Sequence, residues 1–172
     1  MPSARRLLSN RPMLFLLTLC LLAGGVATGA ARPARADKRP GCSKDLKHRT
    51  AEETIRQHIA FLQAGNLEQA LCDYAEDAVV VLPGQIVRGV DAIRGGLEGI
   101  GALLGGAIPQ LQTLTATSSV VLITFTAFGT PCTIPDGSDT YIVEKGLIVT
   151  QTVHDTFRSA PGATCPAAAP GT

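Results

Sequence analysis

Residues 54–93, TIRQHIAFLQAGNLEQALCDYAEDAVVVLPGQIVRGVDAI, decide how this chain folds. The first part has helical spacing: Ile55, His58, Ile59 and Leu62 lie at the 3, 4 and 7 offsets of one helix face. Just upstream, Thr50 and Glu53 form a T-x-x-E capping box, in which each side chain satisfies an orphan backbone donor. Ala64-Gly65-Asn66 ends this helix, and Asn66 caps a second over Leu67–Tyr74, with Leu67, Leu71 and Tyr74 on one side. The pattern then changes. Ala78–Leu82 (AVVVL) reads as a strand, closed by Pro83-Gly84, with Gln85–Val87 as a short hairpin partner. Asp91 caps a third helix with Ile93, Leu97, Ile100 and Leu104 on one face, weakened by six glycines within residues 95–106. Those glycines do not make a phosphate loop, because the G-K-[ST] lysine is missing and they lie inside a helix pattern.

Beyond residue 110 the chain is strand-like. Leu111–Thr117 alternates, and Val120–Phe128 (VVLITFTAF) is rich in β-branched and aromatic residues. Pro131–Ser138 reads as a polar loop around Cys132. Asp139–Val143 is a strand, Glu144-Lys145-Gly146 a tight turn, and Leu147–Phe157 a long last strand. The order is helix, helix, hairpin, helix and antiparallel meander, which makes a single α+β domain.

The ends carry a different signal. The 172 residues have a net charge of +1, but residues 1–36 hold five arginines and no acid. The remainder has ten Lys and Arg against 14 Asp and Glu, a net charge of −4. A mildly acidic body without a basic run excludes nucleic acid as a partner. Arg5, Arg6 and Arg11 precede the apolar run Met13–Leu22, and Ala34-Arg35-Ala36 offers a small-residue cleavage site, with Ala30 and Ala31 as alternatives. That is the layout of a secretory signal peptide, cleaved near Ala36. The apolar run is about 10 residues, short of the roughly 20 that span a bilayer. No membrane partner is therefore expected after cleavage, and the chain reads as exported, periplasmic or extracellular. Residues 37–49 are a polar lead-in, 50–158 the domain, and 159–172 an Ala/Pro-rich tail with no reason to pack except through Cys165.

Cys20 leaves with the signal, and Cys42, Cys72, Cys132 and Cys165 remain. An even count in an exported chain reads as two disulfides. If Val143 pairs with Ile148, Asp139 faces Thr152, and the loop of Cys132 lies near Arg158, within reach of Cys165. Cys42 is then left for Cys72. No C-x-x-C pair or histidine spacing suits a metal, and no motif asks for a cofactor.

The stretch quoted above resembles the opening of a SnoaL-like, nuclear transport factor 2-like domain: amphipathic helix, A-G-[DN] turn, short helix ending in Y-A-x-D-A, hairpin, and G-x-x-A-I helix. DTYIVEKGLIVTQTVHDTF (139–157) is similar to the closing hairpin of that superfamily, so the resemblance covers Thr50–Phe157. It implies a cystatin-like cone, in which a curved antiparallel sheet is wrapped by about three helices around one pocket. The superfamily includes steroid isomerases, polyketide cyclases, dehydratases and epoxide hydrolases, and also domains that only bind or dimerise. Against the ketosteroid isomerases, the helix-one tyrosine falls on His58, the basic aspartate on Leu82 and the second aspartate near Asp139. A leucine accepts no proton, so their isomerisation mechanism is not implied here.

Candidate residues follow from both readings. His58 is a core histidine satisfied by a carbonyl, or a pocket base. Asp139 caps the Asp136-Gly137-Ser138 loop, or turns inward and forms a catalytic dyad with His58. On the last strand Val149, Gln151, Val153, Asp155 and Phe157 share the inner face, so Gln151 and Asp155 line a polar pocket or a structural network. Tyr74, Leu82 and Tyr141 complete the expected lining. Two functions remain. One is an exported domain that binds a small, mainly apolar molecule, with isomerase-, cyclase- or hydratase-type proton transfer by His58 and Asp139. The other is a non-catalytic binding or homodimerising module.

Overall fold

The computed structural model describes residues 41–43 and 45–165. The expected export signal and the end of the tail lie outside these residues. Three helices and six strands form an open α+β layer pair: α1 (Ala51–Gln63), α2 (Leu67–Cys72), β1 (Tyr74–Leu82), β2 (Gln85–Arg88), α3 (Val90–Leu103), β3 (Gln110–Ala116), β4 (Val120–Phe128), β5 (Cys132–Glu144) and β6 (Leu147–Ser159). The strand order is β2-β1-β6-β5-β4-β3. All pairs are antiparallel except β1 with β6, which run parallel, so the sheet is mixed. The expected meander is present as β3–β6. The parallel pair arises because α3 carries the chain from the β2 edge across to β3, and the meander returns to the free side of β1.

Thr50 closes the capping box on α1, with the Glu53 amide bonded to its hydroxyl and the Glu53 carboxylate to its own amide. The buried face of α1 is Ala51, Thr54, Ile55, His58 and Ile59, laid on the concave side of the sheet. The core between them includes Leu71, Ala75, Val121, Ile123, Ala127, Ile134, Val143 and Ile148. Register shifts in four of the five strand pairings bend the sheet around this layer. Among the described residues no helix is long and apolar enough to cross a membrane.

Several local expectations are corrected. Helix α2 stops at Cys72, and Tyr74 starts β1, because Asp73 takes the C-cap and Tyr74 pairs with Ile148. Helix α3 is capped by Gly89 (φ 80°) with no side-chain bond; Asp91 lies in its first turn, where its charge suits the helix dipole. Residues 132–138 are not a loop but the first half of β5, paired with β4 on one side and β6 on the other. Pro135 falls inside a register shift, where a missing N–H breaks no ladder bond. A second shift leaves Val149 as an extra residue in β6, so Asp139 faces Val153 and not Thr152. The tail packs as far as 165: Ala160 is buried, and its amide binds the Pro131 carbonyl.

Two disulfides pin the ends, Cys42 to Cys72 and Cys132 to Cys165. The β5–β6 turn, Lys145-Gly146, has φ of 50° and 69°, the two positive values of a two-residue hairpin turn. A Cβ at Gly146 would collide with the Leu46 carbonyl. Arg49 ties this turn to the helices. Its Nη2 donates to the Gly146 carbonyl at 2.8 Å, and its Nη1 reaches Asp73 Oδ1 at 2.7 Å. Asp73 is 1% exposed, so without Arg49 a buried carboxylate loses its cation. We expect Arg49→Leu to lose about 3 kcal/mol in urea unfolding, and Arg49→Leu/Asp73→Asn to recover most of it. Serine at both Cys42 and Cys72, which close a loop with a separation of 30, should cost about 3–4 kcal/mol.

Candidate functional site

Four buried polar side chains meet on the concave face. Tyr74 comes from the start of β1, Asp139 and Tyr141 from alternate positions of β5, and Gln151 from β6. Strand pairing places Gln151 between Tyr141 on one side and Val80 on the other. The Tyr74 hydroxyl donates to Gln151 Oε1 at 2.5 Å. That contact orients the amide, so its Nε2 donates to Asp139 Oδ2 at 2.8 Å. The Tyr141 hydroxyl donates to the same Oδ2 at 3.0 Å. Asp139 Oδ2 thus receives two donors, while Oδ1 is buried with no partner.

This asymmetry sets the chemistry of Asp139. Burial pushes its carboxyl up to about 6, against the opposing effects of the Tyr141 and Gln151 hydrogen bonds and the His58 charge. A proton on Asp139 belongs on Oδ1, since Oδ2 already accepts twice. Burial and the Asp139 charge push both phenols well above their ordinary range, so they remain donors. Asp155 faces inward one strand over: Gly137 pairs with Asp155 and Asp139 with Val153. Its carboxyl rises to about 7, through burial and then the Asp139 charge, and its Oδ1 is also buried without a partner. Gly137 makes the room for it. A Cβ there would lie 2.7 Å from the Phe125 ring and 2.9 Å from Asp155 Oδ1.

His58 is fully buried, but its carboxylate neighbour is Asp73. Nδ1 lies 3.4 Å from Asp73 Oδ2 and 3.1 Å from the Ala70 carbonyl. No hydrogen bond joins it to Asp139. Its ring stands edge-on to Tyr74 and Tyr141, with centroids 5.2 and 6.0 Å away. An Arg49–Asp73–His58 array therefore backs the two tyrosines that grip Gln151 and Asp139. Arg49, Asp73, Phe125 and Gly137 were not singled out from the sequence. Asp73 carried a signal: an acid at a helix C-terminus opposes the dipole and needs another reason to be there.

Among the described residues are three adjoining spaces. One, of about 60 Å³, is bordered by Asp139 and Tyr141 and walled by Ile59, Leu62, Leu111, Ile123 and Phe125. A second, of about 40 Å³, lies against Gln151, with Leu82, Val80, Val153 and Ile100. The third is an outer groove of about 460 Å³ between the end of α1, α3 and residues 106–109. It shares Leu62, Gln63 and Pro109 with the first, and Leu97 and Ile100 with the second. Through these shared residues the three adjoin one another as a forked, mainly apolar funnel, with Asp139 bordering the first space and Gln151 the second. Of the residues expected to line a pocket, Leu82, Asp139, Tyr141 and Gln151 border it. Tyr74 and His58 stand behind this lining, and Asp155 is not part of it. Among the described residues no group of three or more His, Cys, Asp or Glu could hold a metal ion.

No protein-family model and no curated protein sequence matches the chain. Solved structures do. An NTF2-like protein of unknown function from Cytophaga hutchinsonii is 18% identical, with a TM-score of 0.54 over 62% of this chain and 90% of that one. A polyketide cyclase candidate from Sinorhizobium meliloti is 14% identical, with a TM-score of 0.53 over 59% and 93%. An epoxide hydrolase/cyclase-like enzyme of pyran ring formation in the polyether salinomycin is 15% identical, with a TM-score of 0.55 over 62% and 90%. Identities this low speak to architecture, and the architecture is shared over nearly the whole of each neighbour: the chain has the fold of the SnoaL-like, nuclear transport factor 2-like superfamily.

Proposed function

We propose that this chain is exported, folds around its two disulfides, and binds a small, mainly apolar molecule in the funnel, where Asp139 transfers a proton. The observation that carries the reading is Asp139 itself. A buried carboxyl with one oxygen held by two donors and the other unpartnered borders an otherwise apolar cavity. A group whose pKa lies near 6 is populated in both forms around neutrality, as a general acid or base requires. Once side-chain movement uncovers the buried Oδ1, a protonated Asp139 donates from it to a carbonyl, hydroxyl or epoxide oxygen, and an ionised one accepts a proton there. Tyr141 and Gln151 hold it in place. His58, anchored by Asp73, acts on Asp139 through charge and not by contact. Isomerisation, cyclisation and water addition all fit this arrangement. Two of the structural neighbours, the cyclase candidate and the epoxide hydrolase/cyclase-like enzyme, support that range of chemistry.

The second reading is a binding module without turnover. Leu82 favours it, since it places an aliphatic side chain beside Gln151 where the isomerases have their base. The small size of the inner cavities points the same way.

A thermal-shift screen of the chain without residues 1–36 against steroids, polyketides and terpenoid epoxides tests both readings. A Tm rise with at least one class is expected, and none with any class would sink the ligand reading. Asp139→Asn should keep the Tm rise and lose at least about 100-fold in turnover of the ligand found. Binding without turnover in the parent protein selects the module.

The raised carboxyls also make stability depend on pH in a defined direction. A folded-state pKa above the unfolded value means that the folded chain holds the extra proton, so stability falls as pH rises between about 4 and 7. Asp155→Asn removes that cost. Relative to the parent, it should gain about 2–3 kcal/mol between pH 5 and pH 8 in urea unfolding. A difference independent of pH would show that Asp155 is not protonated in the fold.

A further inference from the structure

Helix α3 contains four interior glycines that packing does not require. A Cβ added at Gly95, Gly96, Gly99 or Gly101 would meet no atom within 4 Å beyond the helix itself and its immediate chain neighbours. None of the four has the positive φ that favours glycine. Each nevertheless weakens the helix, by about 2- to 5-fold in its local equilibrium relative to alanine. The helix is well held only at its ends. At the start Val90 and Ile93 are buried, and Arg94 pairs with Glu68 of α2, Nη2 to Oε2 at 2.9 Å. At the far end Leu104 is buried, and its carbonyl accepts from Thr130 and Ala107. Between these anchors only Leu97 and Ile100, both partly buried, pack against the core. Gly96, Leu97 and Ile100 roof the inner cavity at Gln151, and Leu97, Ile100 and Gly101 form one wall of the outer groove.

A segment with few buried contacts and low intrinsic helicity opens more readily than its neighbours. We infer that the middle of α3, Gly95–Gly101, is the gate of the funnel: it opens by local loss of helix between two fixed ends, admits the ligand, and recloses over it. This inference rests on the reading that the funnel takes an apolar molecule. The cavity at Gln151 is small and shares its α3 wall, Leu97 and Ile100, with the outer groove, so a ligand moving from the groove to Gln151 passes the middle of α3. Opening confined to the gate leaves the closed complex unchanged, so helix strength sets the rate of entry and exit and not the affinity.

The variant Gly95→Ala/Gly99→Ala tests this. Both positions are exposed and neither lines a cavity, so the binding surface is untouched. Two measurements are made on the disulfide-bonded protein: amide hydrogen exchange, and stopped-flow uptake and release of the neutral apolar fluorophore N-phenyl-1-naphthylamine. In the parent, amides of residues 95–101 should exchange faster than those of α1. In the variant their exchange, and both probe rates, should slow by about tenfold together, with probe affinity within twofold. Protection of residues 95–101 equal to that of α1 in the parent would overturn the gate. So would slowed exchange with unchanged probe rates. Absence of probe uptake by both proteins would instead remove the ligand reading on which the gate depends, an outcome separate from binding with unaltered kinetics.

Discussion

Burying a polar group without a partner costs a few kcal/mol, and burying a charge costs more. The concave wall of this domain buries two phenols, an amide and a carboxyl, and the rest of the structure is arranged so that they satisfy one another. Tyr74 to Gln151, and Gln151 with Tyr141 to Asp139, is a chain of donors that ends on one carboxylate oxygen. It works only if β1, β5 and β6 are adjacent and in one register. The parallel pairing of β1 with β6 and the extra residue at Val149 supply that register. What this network leaves over is a single unpartnered oxygen on Asp139.

The same economy explains the back of the site. Asp73 stands at the C-terminus of α2, where the helix dipole is unfavourable, and is held there by Arg49 and shared with His58. Arg49 also donates to Gln57 of α1 and to the β5–β6 turn, so one guanidinium links α1, the end of α2 and the hairpin that carries Asp139, Tyr141 and Gln151. The disulfides add to this frame at both ends of the chain. Against it, α3 is the soft part: rich in glycine, anchored at its ends, and placed over the cavities. Rigidity behind the polar network and softness in front of it is a division of labour that would suit the proposed proton transfer.

Much of this was legible in residue order. The capping box at Thr50, the helix face of Ile55, His58, Ile59 and Leu62, and the turn at Gly146 are local devices, and each formed as its neighbours dictated. The inward set of β6 was readable from alternation alone, because an apolar face interrupted by Gln151 and Asp155 asks for a reason. The partner of His58 was not readable. A histidine and two candidate acids on different elements cannot be matched until the elements are placed, and Asp73, not Asp139, came to lie against it. The first half of β5 was hidden for a related reason. Residues 131–138 have the composition of a loop, and only pairing on both sides holds 132–138 extended.

By itself, then, the sequence determined those features whose causes act within a few residues: helix starts, turns, the alternation of strands, the order of elements and so the α+β class. It also marked Asp139, Gln151 and Tyr141 as residues that alternate onto one face. The tertiary structure alone decided which polar groups met. A shift of one residue in a strand pairing reassigns every cross-strand partner, and such shifts arise from bulges and from the distant element on the other side. The protonation balance of Asp139 and the cavities beside α3 belong to that level, because burial and cavities are properties of the packed whole and of no single segment.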